Sequence, residues 1–105
     1  MARFDVFANP GQHSATTPYV VEVQSDLLDG LHTTVVIPLR RLDTMSGMAP
    51  PERLMPVFDV GGITVFLETP KLAAVPRRVL RQRVGNLADH HDAIASALDF
   101  LFHGF

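Results

Sequence analysis

The sequence predicts a mainly β fold, a small and strongly bent antiparallel sheet or barrel closed by one C-terminal helix. Three observations carry this. Short runs of β-branched and aromatic residues fill the first two-thirds of the chain. Two adjacent glycines, Gly61-Gly62, separate two such runs. After Asn86 the apolar pattern changes from a period of two to that of a helix.

The elements follow in order. Phe4-Asp5-Val6-Phe7 reads as a short strand stopped by the turn cluster Asn9-Pro10-Gly11, and Gln12 to Thr17 as a polar loop. Between Tyr19 and Gln24, Tyr19, Val21 and Val23 share one face, with Val20, Glu22 and Gln24 on the other. Thr33 to Ile37 is a β-branched run that Pro38 is expected to end, because branched side chains suit a pleated surface and proline lacks the ladder N–H. Arg40 to Pro56, with Gly47, Pro50 and Pro51, reads as a long connection. Val57 to Val60, Gly61-Gly62 and Ile63 to Leu67 form the clearest local signal, a β-hairpin. A two-residue turn needs positive φ at its centre, and glycine supplies it without steric cost. Five strands are expected in all.

Asn86 is placed to cap the final helix, with Asp89 near its positive end. Ile94, Leu98, Leu101 and Phe105 follow i, i+4, i+7, i+11 spacing on one face. Phe100 and Ala93 fall elsewhere, so the helix is apolar around much of its girth. That surplus predicts a dimer contact or a docking surface.

Length and composition narrow the function classes. At 105 residues the chain is expected to be one domain spanning residues 1–105. A net charge of -2 argues against a protein that grips nucleic acid mainly through phosphates. With no cysteine, neither a disulfide framework nor a thiolate metal site is available. Without a signal-like or membrane-spanning apolar run, the expectation is a cytoplasmic protein with no membrane association.

No catalytic or metal motif stands out. His90 and His91 are adjacent, which on a helix points them about 100° apart, and His13 and His32 lie in unrelated loops. Solvated surface histidines are the simpler reading, with no metal and no cofactor expected. Ser14, Ser25, Ser46 and Ser96 lack a nucleophile-elbow context, and Gly61-Gly62 is explained by its hairpin. Lys71, Arg77, Arg78, Arg81 and Arg83 hold five of the nine cationic residues. They read as a solvated face near the start of the helix, or as a docking strip for an acidic peptide or a nucleic acid. Phe100-Leu101-Phe102-His103-Gly104-Phe105 makes an unusually apolar chain end, either tucked into the core or used to hold something.

Six ordered segments resemble the CcdB toxin family: Phe4 to Pro10, Pro18 to Asp29, Val36-Ile37-Pro38-Leu39, Leu54-Met55-Pro56-Val57, Leu72 to Pro76, and Ala97 to Phe105. The resemblance implies an SH3-like antiparallel β-barrel (CcdB/MazF-like) with one long C-terminal α-helix, assembled as a homodimer. It implies the toxin of a type II toxin–antitoxin pair, of the kind that serves plasmid maintenance. Such a toxin poisons a topoisomerase by binding the A subunit of DNA gyrase and trapping it on cleaved DNA, with no catalysis of its own. A CcdA-like antitoxin neutralises it, and operator DNA is met only indirectly, through that antitoxin. The antitoxin contacts are not assigned to residues of this chain.

The resemblance also implies where gyrase is held. The family pattern ends in Trp-Gly-Ile, with the tryptophans stacking on a gyrase arginine, and the matching positions here are His103, Gly104 and Phe105. Gly104 fits, Phe105 keeps an apolar end, and His103 departs from the pattern. Indole over guanidinium is the best cation–π geometry, at about 0.5–2 kcal/mol, and imidazole offers a smaller face. Weaker binding, or tuning to a different gyrase, is therefore expected. Phe102, Asp99, Leu27 and Leu28 are carried over as neighbouring gyrase contacts. Two alternatives remain: a MazF-like endoribonuclease toxin, which shares the barrel, and a decayed, non-toxic homologue that only binds its antitoxin.

Overall fold

The computed structural model describes residues 2–47 and 49–104. They form a curled antiparallel sheet, a half-barrel in shape, with one α-helix. The strands are β1 (Asp5–Ala8), β2 (Tyr19–Glu22), β3 (Thr33–Arg41), β4 (Val57–Val60), β5 (Ile63–Leu67), β6 (Ala73–Pro76) and β7 (Arg83–Asn86). The helix α1 spans His91–His103. The strands run in the order β4-β5-β3-β2-β1-β7, and β6 also pairs with β3. Among the described residues no helix is long and apolar enough to cross a membrane.

Among the described residues, seven strands replace the expected five. The two additional ones, β6 and β7, have poor local signatures, AAVP and RVGN. They exist because of their partners. Thr33–Val36 of β3 pairs with Ala73–Pro76, and Asp5–Phe7 of β1 pairs with Arg83–Asn86. Along β7 the register shifts, Val6 facing Gly85 and Phe7 facing Arg83, so Val84 bulges out and is half-exposed.

β3 does not stop at Pro38. It continues to Arg41 and changes neighbours at that point. One edge pairs with β2 throughout Val36–Leu39, while the other meets β6 up to Val36 and β5 from Leu39 onward. Pro38 lies in the gap, and its carbonyl accepts from the Glu68 amide at 2.9 Å. In a strand the N and O of one residue face the same edge, so the missing N–H costs the β2 ladder nothing.

The hairpin forms as the sequence predicts. Gly61 and Gly62 have φ of 57° and 82°, the paired positive values of a type I′ turn. A Cβ on Gly61 would also sit 3.2 Å from the Tyr19 hydroxyl.

Both faces of the central strands are buried, which the alternation in β2 does not reveal. Val6, Val21 and Ile37 form a cross-strand row facing α1, in a core completed by Leu39, Phe58, Val65, Leu67, Leu87, Ile94 and Ala97. On the reverse face Phe7, Val20 and Val36 make a smaller cluster with Leu80, flanked by Val75 and Val79. The segment after β6 therefore lids this second face. Burying each such aliphatic side chain contributes about 1.5–3 kcal/mol before entropy is counted.

The helix start also differs from expectation. Asn86 ends β7, and its side chain accepts from the Ala88 amide at 2.7 Å in a local turn that leads into a 3-10 turn (Ala88–His90) before α1. The α-helix itself has no side-chain cap at His90. Its inward face is set by Ile94 and Ala97, both fully buried, with Leu98 and Leu101 half-buried and Phe105 outside the described residues. Part of the apparent apolar surplus is covered from outside, because the Arg53 guanidinium lies 4.8 Å from the Phe100 ring centre. What remains is Phe102.

Candidate functional site

Helical spacing puts Asp99, Phe102 and His103 on one face of the last turn, at i, i+3 and i+4. All three are exposed, and Phe102 presents 64% of its surface. Gly104 ends the helix in the left-handed region, φ 79° and ψ 14°, where glycine carries no Cβ penalty, and its amide donates to the Phe100 carbonyl at 3.0 Å. The chain thus leaves α1 immediately beside Phe102 and His103. Phe105, assigned to the same site, lies outside the described residues.

Leu27 and Leu28 occupy a 3-10 turn, Asp26–Leu28, between β2 and β3. Ser25 caps it, its hydroxyl accepting from the Leu27 amide at 3.2 Å. Leu27 is 95% exposed and Leu28 47%; Leu31, three residues on, is 51% exposed. Three leucines held in water within five residues form an apolar projection that folding does not explain. Leu31 was not singled out by sequence reasoning. A leucine between Gly30 and His32 carries no periodic signal, and only its exposure identifies it.

This turn is tied to the N-terminal segment. The Arg3 amide donates to Asp26 Oδ1 at 2.6 Å, and Arg3 Nε donates to the Val23 carbonyl at 2.9 Å. The next residue, Phe4, has φ of 70°, an uncommon conformation for a bulky side chain. It is held by two backbone bonds, Phe4 N to the Glu22 carbonyl at 2.7 Å and Leu87 N to the Phe4 carbonyl at 2.8 Å. Strain of this kind persists where the surroundings over-determine it.

The basic cluster is neither a uniform solvated face nor a continuous strip. Arg77 turns inward to Glu22 at 2.7 Å, with side chains only 15% and 2% exposed. Arg83 binds Asp5 at 2.8 Å, and Lys71 approaches Glu68 at 3.4 Å. Arg78 and Arg81 remain on the surface. The cations were scattered because β6, β7 and the turn between them point successive side chains in different directions.

The histidines also resolve individually. The His90 ring packs on Phe58 with centres 4.9 Å apart, and His91 approaches both the Ala88 carbonyl and Asp92. A cleft of about 410 Å³ beside β2 and β3 gathers four ionisable side chains, His13, Arg40, Glu68 and Lys71.

Compared with known families, the chain matches the family described as CcdB protein over residues 3–104. The match takes in both exposed patches, the Leu27 turn and the end of α1.

Proposed function

The chain belongs to the CcdB family, the toxins of toxin–antitoxin pairs, and from that premise we propose that it binds the A subunit of DNA gyrase and holds the enzyme on cleaved DNA. The observation that carries this reading is the exposed Phe102, set beside Asp99 and His103 where the chain leaves α1 through Gly104. An aromatic ring in water beside an imidazole and a carboxylate suits an arginine-bearing partner: the rings offer π faces and the acid offers a counter-charge. Leu27 and Leu28 supply a second, apolar contact, and the resemblance adds Phe105, which lies outside the described residues, to the first. Aromatic anchors near apolar contacts are the usual seat of binding energy in protein interfaces.

In this reading the protein acts by binding and not by catalysis. It functions as a single-domain cytoplasmic homodimer, needs no cofactor, and is neutralised by a CcdA-like antitoxin. The test is purified gyrase, supercoiled DNA and this protein, with cleaved complex measured after denaturation. Accumulation of cleaved DNA together with binding to isolated A subunit is the expected result; neither one appearing would sink the proposal. An endoribonuclease would instead draw on the cleft holding His13, Arg40, Glu68 and Lys71. RNA cleavage lost on Arg40→Ala would reverse the ranking. Harmless overexpression with tight antitoxin binding would mark a decayed toxin.

A further inference from the structure

We propose that Arg77 is a positioning residue for the partner-binding turn, and that Leu31 is a third apolar contact beside Leu27 and Leu28. The inference rests on the gyrase-binding reading above and extends it to residues which that reading does not use.

Arg77 follows β6 directly, and its amide donates to the His32 carbonyl at 2.8 Å, extending the β3–β6 ladder by one bond. From there the side chain reaches across the turn. Nε donates to the Leu31 carbonyl at 2.7 Å and Nη2 to the Leu28 carbonyl at 3.3 Å. Nη1 donates to Glu22 Oε2 at 2.7 Å and lies 3.4 Å from Asp29 Oδ1. Thr34 donates to the same Glu22 oxygen at 2.6 Å, so the carboxylate is itself fixed. One planar guanidinium therefore ties β2 to the backbone of the turn on both sides of Gly30. Only arginine has the donor fork this requires; lysine keeps the charge but not the geometry.

At its other end the turn is held by the Arg3 amide on Asp26 and by the Ser25 cap. The backbone is thus pinned at both ends while three leucine side chains project into water. The Glu22 pairing serves the fold, but a plain connection between β2 and β3 would have no use for three leucines exposed on a pinned backbone. A binding element gains, because backbone ordered before encounter need not be ordered during it. The occupant that follows is an apolar patch on the gyrase A subunit, met by Leu27, Leu28 and Leu31 together.

The experiment measures association and dissociation of the full-length protein with purified gyrase A subunit for the parent, Leu31→Ser, Arg77→Lys and the double variant. Melting temperatures and amide exchange over residues 26–31 are recorded alongside. Leu31→Ser, at an exposed position, is expected to keep the parent melting temperature and weaken binding about tenfold, the scale of one good interface anchor. Arg77→Lys is expected to speed exchange in the turn and weaken binding by a similar factor. The double variant should lose clearly less than the product of the two, because Leu31 contributes fully only from a pinned backbone. A purely structural Arg77 would give multiplicative losses, and that result overturns the proposal, as does parent-like binding by Leu31→Ser. If the parent itself does not bind the A subunit, the gyrase reading falls as well, so the two failures are distinguishable.

Discussion

Arg83 Nε lies 2.8 Å from Asp5 Oδ1, joining positions 78 residues apart in the chain. The same carboxylate accepts from Asn86 Nδ2 at 3.0 Å and, through its other oxygen, from the Ala2 amide at 2.8 Å. Burial pushes the Asp5 carboxyl upward, but the Asn86 and Ala2 hydrogen bonds, with the hydrogen bond and charge of Arg83, together hold it below its ordinary value. A carboxyl depressed in the folded state stabilises the fold above its unfolded pKa of about 3.9 and loses that contribution as pH falls through the folded value. Asp5→Asn is therefore expected to destabilise the protein at pH 7 by about 1–3 kcal/mol. The gap to the parent should narrow as pH drops below about 4. Urea unfolding at several pH values checks both the size and the sign.

Glu22 and Arg77 make a second, more buried pair. Removing Glu22 takes the closest counter-charge from the largely buried Arg77 guanidinium, leaving it beside the half-exposed Asp29 carboxylate and two carbonyls. Glu22→Ala is expected to cost about 3–5 kcal/mol. Replacing both residues with leucines should recover only part of that loss, since the Thr34 hydroxyl and the Leu28 and Leu31 carbonyls then lose their partners. Chemical denaturation of the single and double variants at neutral pH measures the difference.

The hairpin turn gives a local prediction. Gly61→Ala meets both an unfavourable φ and the Tyr19 hydroxyl, whereas Gly62→Ala meets only the φ. Each is expected to destabilise by about 1–2 kcal/mol, with Gly61→Ala the worse of the two. Gly62→Asn should be better tolerated than Gly62→Ala, because asparagine enters the left-handed region more readily. Thermal melts of the three variants rank them.

At the helix end, stability and binding should separate. Phe102→Ser is expected to change stability by no more than about 0.5 kcal/mol, as its ring is already in water; on the proposed gyrase reading it also weakens binding to the A subunit markedly. On the same proposed reading, His103→Trp gives the position the indole that the family resemblance implies there and is expected to tighten binding by about 0.5–2 kcal/mol. Titration against isolated A subunit, beside melting curves, gives both quantities.

Inside the same helix, Ala97 is fully buried against the sheet. Ala97→Leu is expected to cost about 1–3 kcal/mol by overpacking, with no direct effect on the exposed face bearing Asp99, Phe102 and His103. Denaturation followed by near-ultraviolet signals of the packed aromatics detects it.

By itself the sequence determined the features whose causes are local. The Gly61-Gly62 turn needs only its own φ angles, the β-branched runs favour strands wherever they pair, and the period of α1 is visible along a single stretch. Family membership was legible too, because ordered short segments survive in the primary structure. Tertiary structure decided what depends on a distant partner. β6 and β7 have no strand signature of their own and form because β3 and β1 offer open edges. Pro38 looks like a stop until β3 is seen to change neighbours there. Arg77 reads as one more surface cation until folding brings Glu22, 55 residues away, to its guanidinium. The candidate site divides the same way: Asp99, Phe102 and His103 share a face by helical geometry alone, whereas the pinned Leu27, Leu28 and Leu31 turn needs contacts from Arg3 and Arg77. Local propensity acts through neighbouring residues, but burial and pairing are set by which segments meet in space, and the chain's linear pattern carries that information only weakly.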